Sequence, residues 1–138
     1  MQFTIFADGG SRGNPGPAGS GAVVYDAQGS VVAEVSEFLG VTTNNVAEYT
    51  ALIRGLEALA EYLDERTPSA SVVVKMDSEL AVKQMRGEYK IKHPNLKPLA
   101  EQAYSRAQQF SSVSFVHVPR EQNKVADALA NQAMDRGA

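Results

Sequence analysis

A chain of 138 residues, 43% hydrophobic and 21% charged, is long enough to bury a core and is most simply one domain, residues 1–138. It has no cysteine, which removes disulfides and thiolate metal sites and fits a reducing, cytoplasmic setting. The formal net charge of -3 argues against a protein that coats nucleic acid through a broad basic surface, and the apolar runs are too short to cross a membrane.

Gln2 to Ala7 alternates Phe3, Ile5 and Ala7 against Gln2, Thr4 and Phe6, which predicts a strand. The stretch FADGGSRGNPGPAGSG, Phe6 to Gly21, reads as a glycine- and proline-rich hairpin connection with one carboxylate, Asp8, at its start. Ser20 to Tyr25 predicts a second strand, Asp26 to Gly29 a turn, and Val31 to Leu39 a third strand; connections this short suit an antiparallel meander. The period then changes: Leu52, Leu56, Leu59 and Leu63 recur at helical spacing and predict a helix from Val46 to about Leu63. Val72 to Met76 reads as a central strand. A short helix from about Ser78 to Arg86 follows, then a loop with Pro94, a helix from about Asn95 to Gln109, a fifth strand from Val113 to Val118, and an alanine-rich helix from Lys124 to Met134. The order implies an α/β domain with a five-stranded mixed sheet, antiparallel in its first half and parallel in its second, flanked by helices.

Asp8 and Asp77 stand at the C-terminal ends of the first and fourth strands, the edge where open α/β sheets bind ligands. Each also has a plainer reading: Asp8 as an Asx turn, Asp77 as a helix N-cap in competition with Ser78. Glu48 shares the helical stripe of Leu52, where a carboxylate is costly unless it is paired or cation-bound, although Asn45 and Glu48 also have the spacing of a capping box. Asp127 falls one turn into the last helix, after Asn123 as N-cap, where the helix dipole favours an acid. Taken together, these acids form an oxygen-rich donor set suited to a hard cation, above all Mg²⁺ or Mn²⁺.

Four motifs, FADGGSRGNPGPAGSGAVV, TTNNVAEYTAL, VVKMDSELAVKQM and EQNKVADALAN, come in an order and spacing that resembles the type 1 ribonuclease H family over essentially the whole chain. The resemblance implies the ribonuclease H-like fold, and it makes Asp8, Glu48, Asp77 and Asp127 catalytic carboxylates holding two divalent metals. One metal would activate water and the other would stabilise the leaving 3′ oxygen. The implied activity is hydrolysis of the RNA strand of an RNA/DNA hybrid, leaving 5′-phosphate and 3′-hydroxyl ends. The resemblance also implies that Ser11, Gly13, Asn14, Asn44 and Asn45 line the RNA side of the minor groove, and that Thr43 meets a DNA-strand phosphate. These residue types equally serve turns and helix caps.

The chain departs from better-studied members of the family in one region. It runs from Tyr89 straight through IKHPNLKPL with no tryptophan anywhere, so the basic helical handle is expected to be missing and hybrid affinity to be weaker. The span holding Lys83, Arg86, Lys90, Lys92, His93 and Lys97 is the candidate replacement, with Tyr89 the only aromatic there to stack on a base. His117 and Arg120 are the candidate helpers near the last acid. Arg120 is placed ahead, because it can bind phosphate although it cannot act as a base. A monomer is expected, and some relatives carry a further C-terminal domain. Two other readings compete: a noncatalytic hybrid-binding module, disfavoured by four acids beside phosphates, and a DNA resolvase or integrase core, disfavoured by the asparagine-rich loop residues.

Overall fold

The computed structural model describes residues 1–138. Strands β1 (Gln2–Ser11), β2 (Gly16–Tyr25) and β3 (Val31–Thr42) are followed by helix α1 (Asn44–Leu63), strand β4 (Ser71–Met76), helices α2 (Glu79–Met85) and α3 (Lys97–Ala107), strand β5 (Ser112–His117) and helix α4 (Lys124–Arg136). Short 3₁₀ turns at Asp64–Ser69 and Arg120–Gln122 complete the chain. The sheet order is β3-β2-β1-β4-β5, with β1–β2 and β2–β3 antiparallel and β1–β4 and β4–β5 parallel. This is the mixed sheet that the element order implies.

Most of the apolar surface is closed by α1. Leu52, Leu56, Leu59 and Leu63 are at most 1% exposed and lie over Ile5, Ala22, Val24 and Val74. Each fully buried leucine contributes about 2 kcal/mol of apolar transfer. Gly55 lets α1 settle on the sheet, since a Cβ there would stand 2.9 Å from Ile5 Cγ2. On the opposite face α4 crosses β1, β2 and β3.

The first hairpin differs from its expected form. β1 runs on to Ser11 and β2 begins at Gly16, so the turn is only Arg12 to Pro15, and most of the glycine-rich stretch is paired strand. Gly9, Gly19 and Gly21 serve helix seating. A Cβ on Gly9 would lie 2.2 Å from the carbonyl of Ala47 in α1, and one on Gly21 would lie 2.2 Å from the Ala126 carbonyl oxygen in α4. Gly13 alone has the positive φ, 95°, that a turn glycine supplies. β3 continues three residues past Leu39, through a register shift and Gly40 at φ 74°. The third helix is shorter than expected and begins at Lys97, with Pro98 in its first turn.

Candidate active site

Register brings the first two acids together. Ala7 pairs with Met76 across the parallel β1–β4 ladder, so Asp8 and Asp77, the next residue on each strand, come side by side where that ladder ends, with Asp8 still paired to Gly21 of β2. Glu48 arrives from the second turn of α1, which the bare Gly9 allows to press against β1. Asp127 arrives from the first turn of α4, which Gly19 and Gly21 seat on β2: a Cβ on Gly19 would lie 2.6 Å from the Ala130 carbonyl oxygen. Asp8, Glu48, Asp77 and Asp127 together line a cavity of about 310 Å³, with Gly9, Gly10, Ser11, Arg12, Asn44, Ser78, Arg120, Ala130, Asn131 and Met134 completing its wall.

The electrostatics of this cavity are those of crowded carboxylates. Burial first, then the charge of Asp77 and the proximity of Asp127, push the Asp8 carboxyl up from 3.8 to about 8. Burial also raises Glu48; the Ser78 hydroxyl partly offsets this, and the charge of Asp77 adds to it. No three of these side chains ring a single point as ligands of one ion would. The acidic groups there are all carboxylates, with no thiolate or imidazole in the cavity wall, which fits a hard divalent cation.

Two of the plainer readings give way. Thr43 caps α1, its hydroxyl accepting the Val46 N–H at 3.3 Å, so Glu48 belongs to no capping box with Asn45. The α2 cap is Ser78, which accepts the Ala81 N–H at 3.2 Å and leaves Asp77 free of that duty. Asn123 makes no side-chain cap for α4 either. Its amide turns inward, 1% exposed, and Nδ2 donates to the Ala7 carbonyl at 2.9 Å and to Asp77 Oδ1 at 3.3 Å, while Oδ1 is buried without a partner. Sequence reasoning missed this role, because an asparagine just before a helix is the commonest of caps.

The remaining predicted residues fall into separate groups. Asn44 Oδ1 accepts from the Ser11 backbone N–H at 2.7 Å and from its hydroxyl at 3.0 Å, and Asn14 Oδ1 accepts the Asn44 N–H at 3.1 Å. Ser11, Asn14 and Asn44 are thus one bonded cluster at the cavity mouth, with Gly13 in the turn between the first two and Asn45 exposed on α1 beside it. Arg120 is 80% exposed with Nη2 3.7 Å from Asp127 Oδ1. His117 ends β5, exposed, outside the cavity wall and on the side of Glu79. In the basic span, Lys83 is engaged by Glu79 at 2.7 Å and lies 4.9 Å from the Tyr89 ring, and Arg86 pairs with Glu88 at 2.9 Å. Lys90, Lys92 and Lys97 are exposed, and His93 accepts the Asn95 N–H in a local turn.

A mixed sheet in the order β3-β2-β1-β4-β5, with acids gathered at its carboxyl edge, defines the ribonuclease H-like fold. Residues 6–133 match the family described as reverse transcriptase-like. Over 139 aligned residues the chain is 50% identical to Bifunctional protein Rv2228c of Mycobacterium tuberculosis, covering 100% of this chain and 37% of that protein. The chain therefore spans a little over a third of that relative's length. The solved N-terminal RNase H domain of the same mycobacterial protein superposes with a TM-score of 0.90 at 50% identity, covering 98% of this chain and 100% of that one. LC11-RNase H1, crystallised in complex with an RNA/DNA hybrid, gives a TM-score of 0.92 at 47% identity over 97% of both chains. RNase H1 of Halobacterium salinarum gives 0.91 at 40% identity over 99% of both. The chain belongs to the type 1 ribonuclease H family.

Proposed function

We propose that this domain is a metal-dependent endoribonuclease that hydrolyses the RNA strand of RNA/DNA hybrids and leaves 5′-phosphate and 3′-hydroxyl ends. The observation that carries the reading is the gathering of Asp8, Glu48, Asp77 and Asp127 around one cavity, where burial first, and then the neighbouring acids, hold the Asp8 carboxyl at about 8. A pure binder of polyanions gains nothing from negative charge packed where the phosphates come. A site that recruits divalent cations gains affinity from it. Asp8, Glu48, Asp77 and Asp127 are the residues that would hold two Mg²⁺ ions, or Mn²⁺ in their place. Mg²⁺ is commonly held by one or two carboxylates and completed by water and substrate phosphate, which suits acids that do not ring a single point. Such ions, when bound, supply Lewis acidity to water and to the leaving oxygen.

The chain's own residues supply the rest. Asn123 fixes the Asp77 carboxylate and ties it to the β1 backbone. Ser78 steadies Glu48. Arg120, mobile in reach and 3.7 Å from Asp127, can meet a phosphate oxygen and shield the acids from one another. Ser11, Asn14 and Asn44 form the preorganised polar edge that would sense 2′-hydroxyls, with Gly13 and Asn45 beside it and Thr43 toward the other strand. Residues 86–96 join α2 to α3 without a helix, which supports the reading of a member lacking the basic handle. Action in the cytoplasm as a monomer belongs to the same proposal; no helix is long and apolar enough to cross a membrane.

The test is incubation of the pure protein with Mg²⁺ and end-labelled RNA/DNA, RNA/RNA and DNA/DNA duplexes. Cleavage confined to the RNA of the hybrid, with 5′-phosphate ends on the products, is the expected result. Tight hybrid binding without cleavage would replace the proposal with a noncatalytic module, and cleavage of the DNA duplex would replace it with a resolvase-like activity.

A further inference from the structure

Two cations line the acidic cavity, Arg120 and Arg12, and the sequence motifs assign no role to the second. Arg12 sits at the end of β1, where its backbone N–H donates to the Pro17 carbonyl at 2.8 Å and closes the hairpin. Its side chain crosses to α4: Nη2 lies 2.6 Å from Asp135 Oδ1 and donates to Asn131 Oδ1 at 3.5 Å. The guanidinium has five N–H donors, and both of these contacts use one nitrogen. The side chain is 47% exposed at the rim of the cavity, and Nε and Nη1 take part in neither contact.

The partners of Arg12 have a regular place on α4. Asp127, Asn131 and Asp135 are four residues apart and share one face, so the stripe begins at the catalytic acids and ends at Arg12 two turns further on. Two turns of helix cover roughly 11–12 Å. A strand that runs along α4 from a reacting phosphate at Asp127 would carry a neighbouring phosphate, one or two nucleotides along, past Arg12. The charge of the site makes that contact valuable: four acids repel a polyanion, and a planar fork of donors suits a phosphate better than any other side chain here.

We propose that Arg12 is a phosphate-binding residue for the hybrid, gripping a backbone phosphate one or two nucleotides from the reacting one, and that Asp135 is the counter-charge holding the guanidinium in place until substrate arrives. The inference rests on the hybrid-cleaving reading above. In the free protein the Asp135 contact stops the arginine from folding inward onto Asp8 or Asp127. In the complex, phosphate takes the exposed edge and competes with Asp135 for the charge.

The experiment compares Arg12→Gln, Arg12→Lys and Asp135→Asn with the unaltered domain in hybrid cleavage at several salt concentrations, with thermal melts alongside. Arg12→Gln is expected to raise KM roughly three- to tenfold while kcat stays within about twofold, because an exposed charged contact is worth that much. It should also flatten the plot of log KM against log salt by about 0.7 to 0.9, the signature of one lost phosphate contact. Arg12→Lys should keep most of that slope, and Asp135→Asn should lower KM by releasing the guanidinium. If Arg12→Gln and Asp135→Asn both raise KM and lower the melting temperature together with the salt slope unmoved, the pair is only a structural latch and the proposal is wrong. Absence of cleavage by the unaltered domain would instead overturn the activity on which it rests.

Discussion

Replacing Asp8 by asparagine separates the chemical role of this residue from its cost to the fold. In the folded protein without metal the Asp8 carboxyl keeps its proton up to about 8, whereas an unfolded chain gives it up near 3.8. The folded state therefore binds the extra proton throughout that window, and stability falls as pH rises from about 4 to about 8, being fully present only below the lower value. The difference between 3.8 and about 8, at about 1.4 kcal/mol per pH unit, sets a ceiling of roughly 6 kcal/mol lost by pH 9. Because water and the surrounding groups relax around a charged Asp8, the share that one substitution recovers is smaller, about 2–4 kcal/mol. Asp8→Asn is isosteric and cannot ionise, so at pH 8–9 the metal-free variant should melt roughly 6–15 °C above the parent, with the gap closing toward pH 4. The assay is thermal melting in chelator from pH 4 to 9, paired with hybrid cleavage in Mg²⁺, where the variant should be nearly inactive. Parallel melting curves for the two proteins across that range would refute the argument that Asp8 carries the strain of the cluster.

The same crowding predicts that Mg²⁺ stabilises the parent by mass action, by about 2.7 kcal/mol at a hundred times its dissociation constant, and far less in Asp77→Asn, readable as a melting shift. Apparent Mg²⁺ affinity should climb by up to roughly tenfold per pH unit below about 8, since binding expels the proton held on Asp8; calorimetry in buffers of different ionisation heat would count that proton. Asn123→Ala removes the donor that fixes Asp77 and should weaken Mg²⁺ binding about 10- to 100-fold, with Asn123→Asp no better because it sets an acceptor against the Ala7 carbonyl. Gly21→Ala forces a methyl against the Ala126 carbonyl and should cost about 1–3 kcal/mol in urea unfolding while lowering cleavage through displacement of Asp127.

What was legible in the sequence was period and position. Alternation in Phe3, Ile5 and Ala7 and the leucine spacing in α1 carry their own structure, because one face of each must be dry. Asp77 could be set just past a strand end for the same reason, whereas β1 runs three residues beyond Asp8. The glycine-rich stretch was not legible in this way: β propensity is low in GPAGSG, yet it is paired strand throughout, with Gly19 and Gly21 bare where α4 packs and Ser20 turned to α1. Asn123 looked like a cap and is a buried brace, a difference decided by the closeness of Ala7 and Asp77, residues 116 and 46 positions away in the chain. Arg12 carried no signal because its partners lie on α4, the last element of the chain.

The seat of α4 has a consequence in time as well as in space. Asp127 reaches the cavity only when the last helix has docked on Gly19 and Gly21, and that helix is the final segment of the domain to be synthesised. A nascent chain short of α4 lacks Asp127 together with Asn131 and Asp135, the partners of Arg12. Until that helix lands, the acidic cavity lacks one of its four carboxylates and the wall that Ala130, Asn131 and Met134 supply.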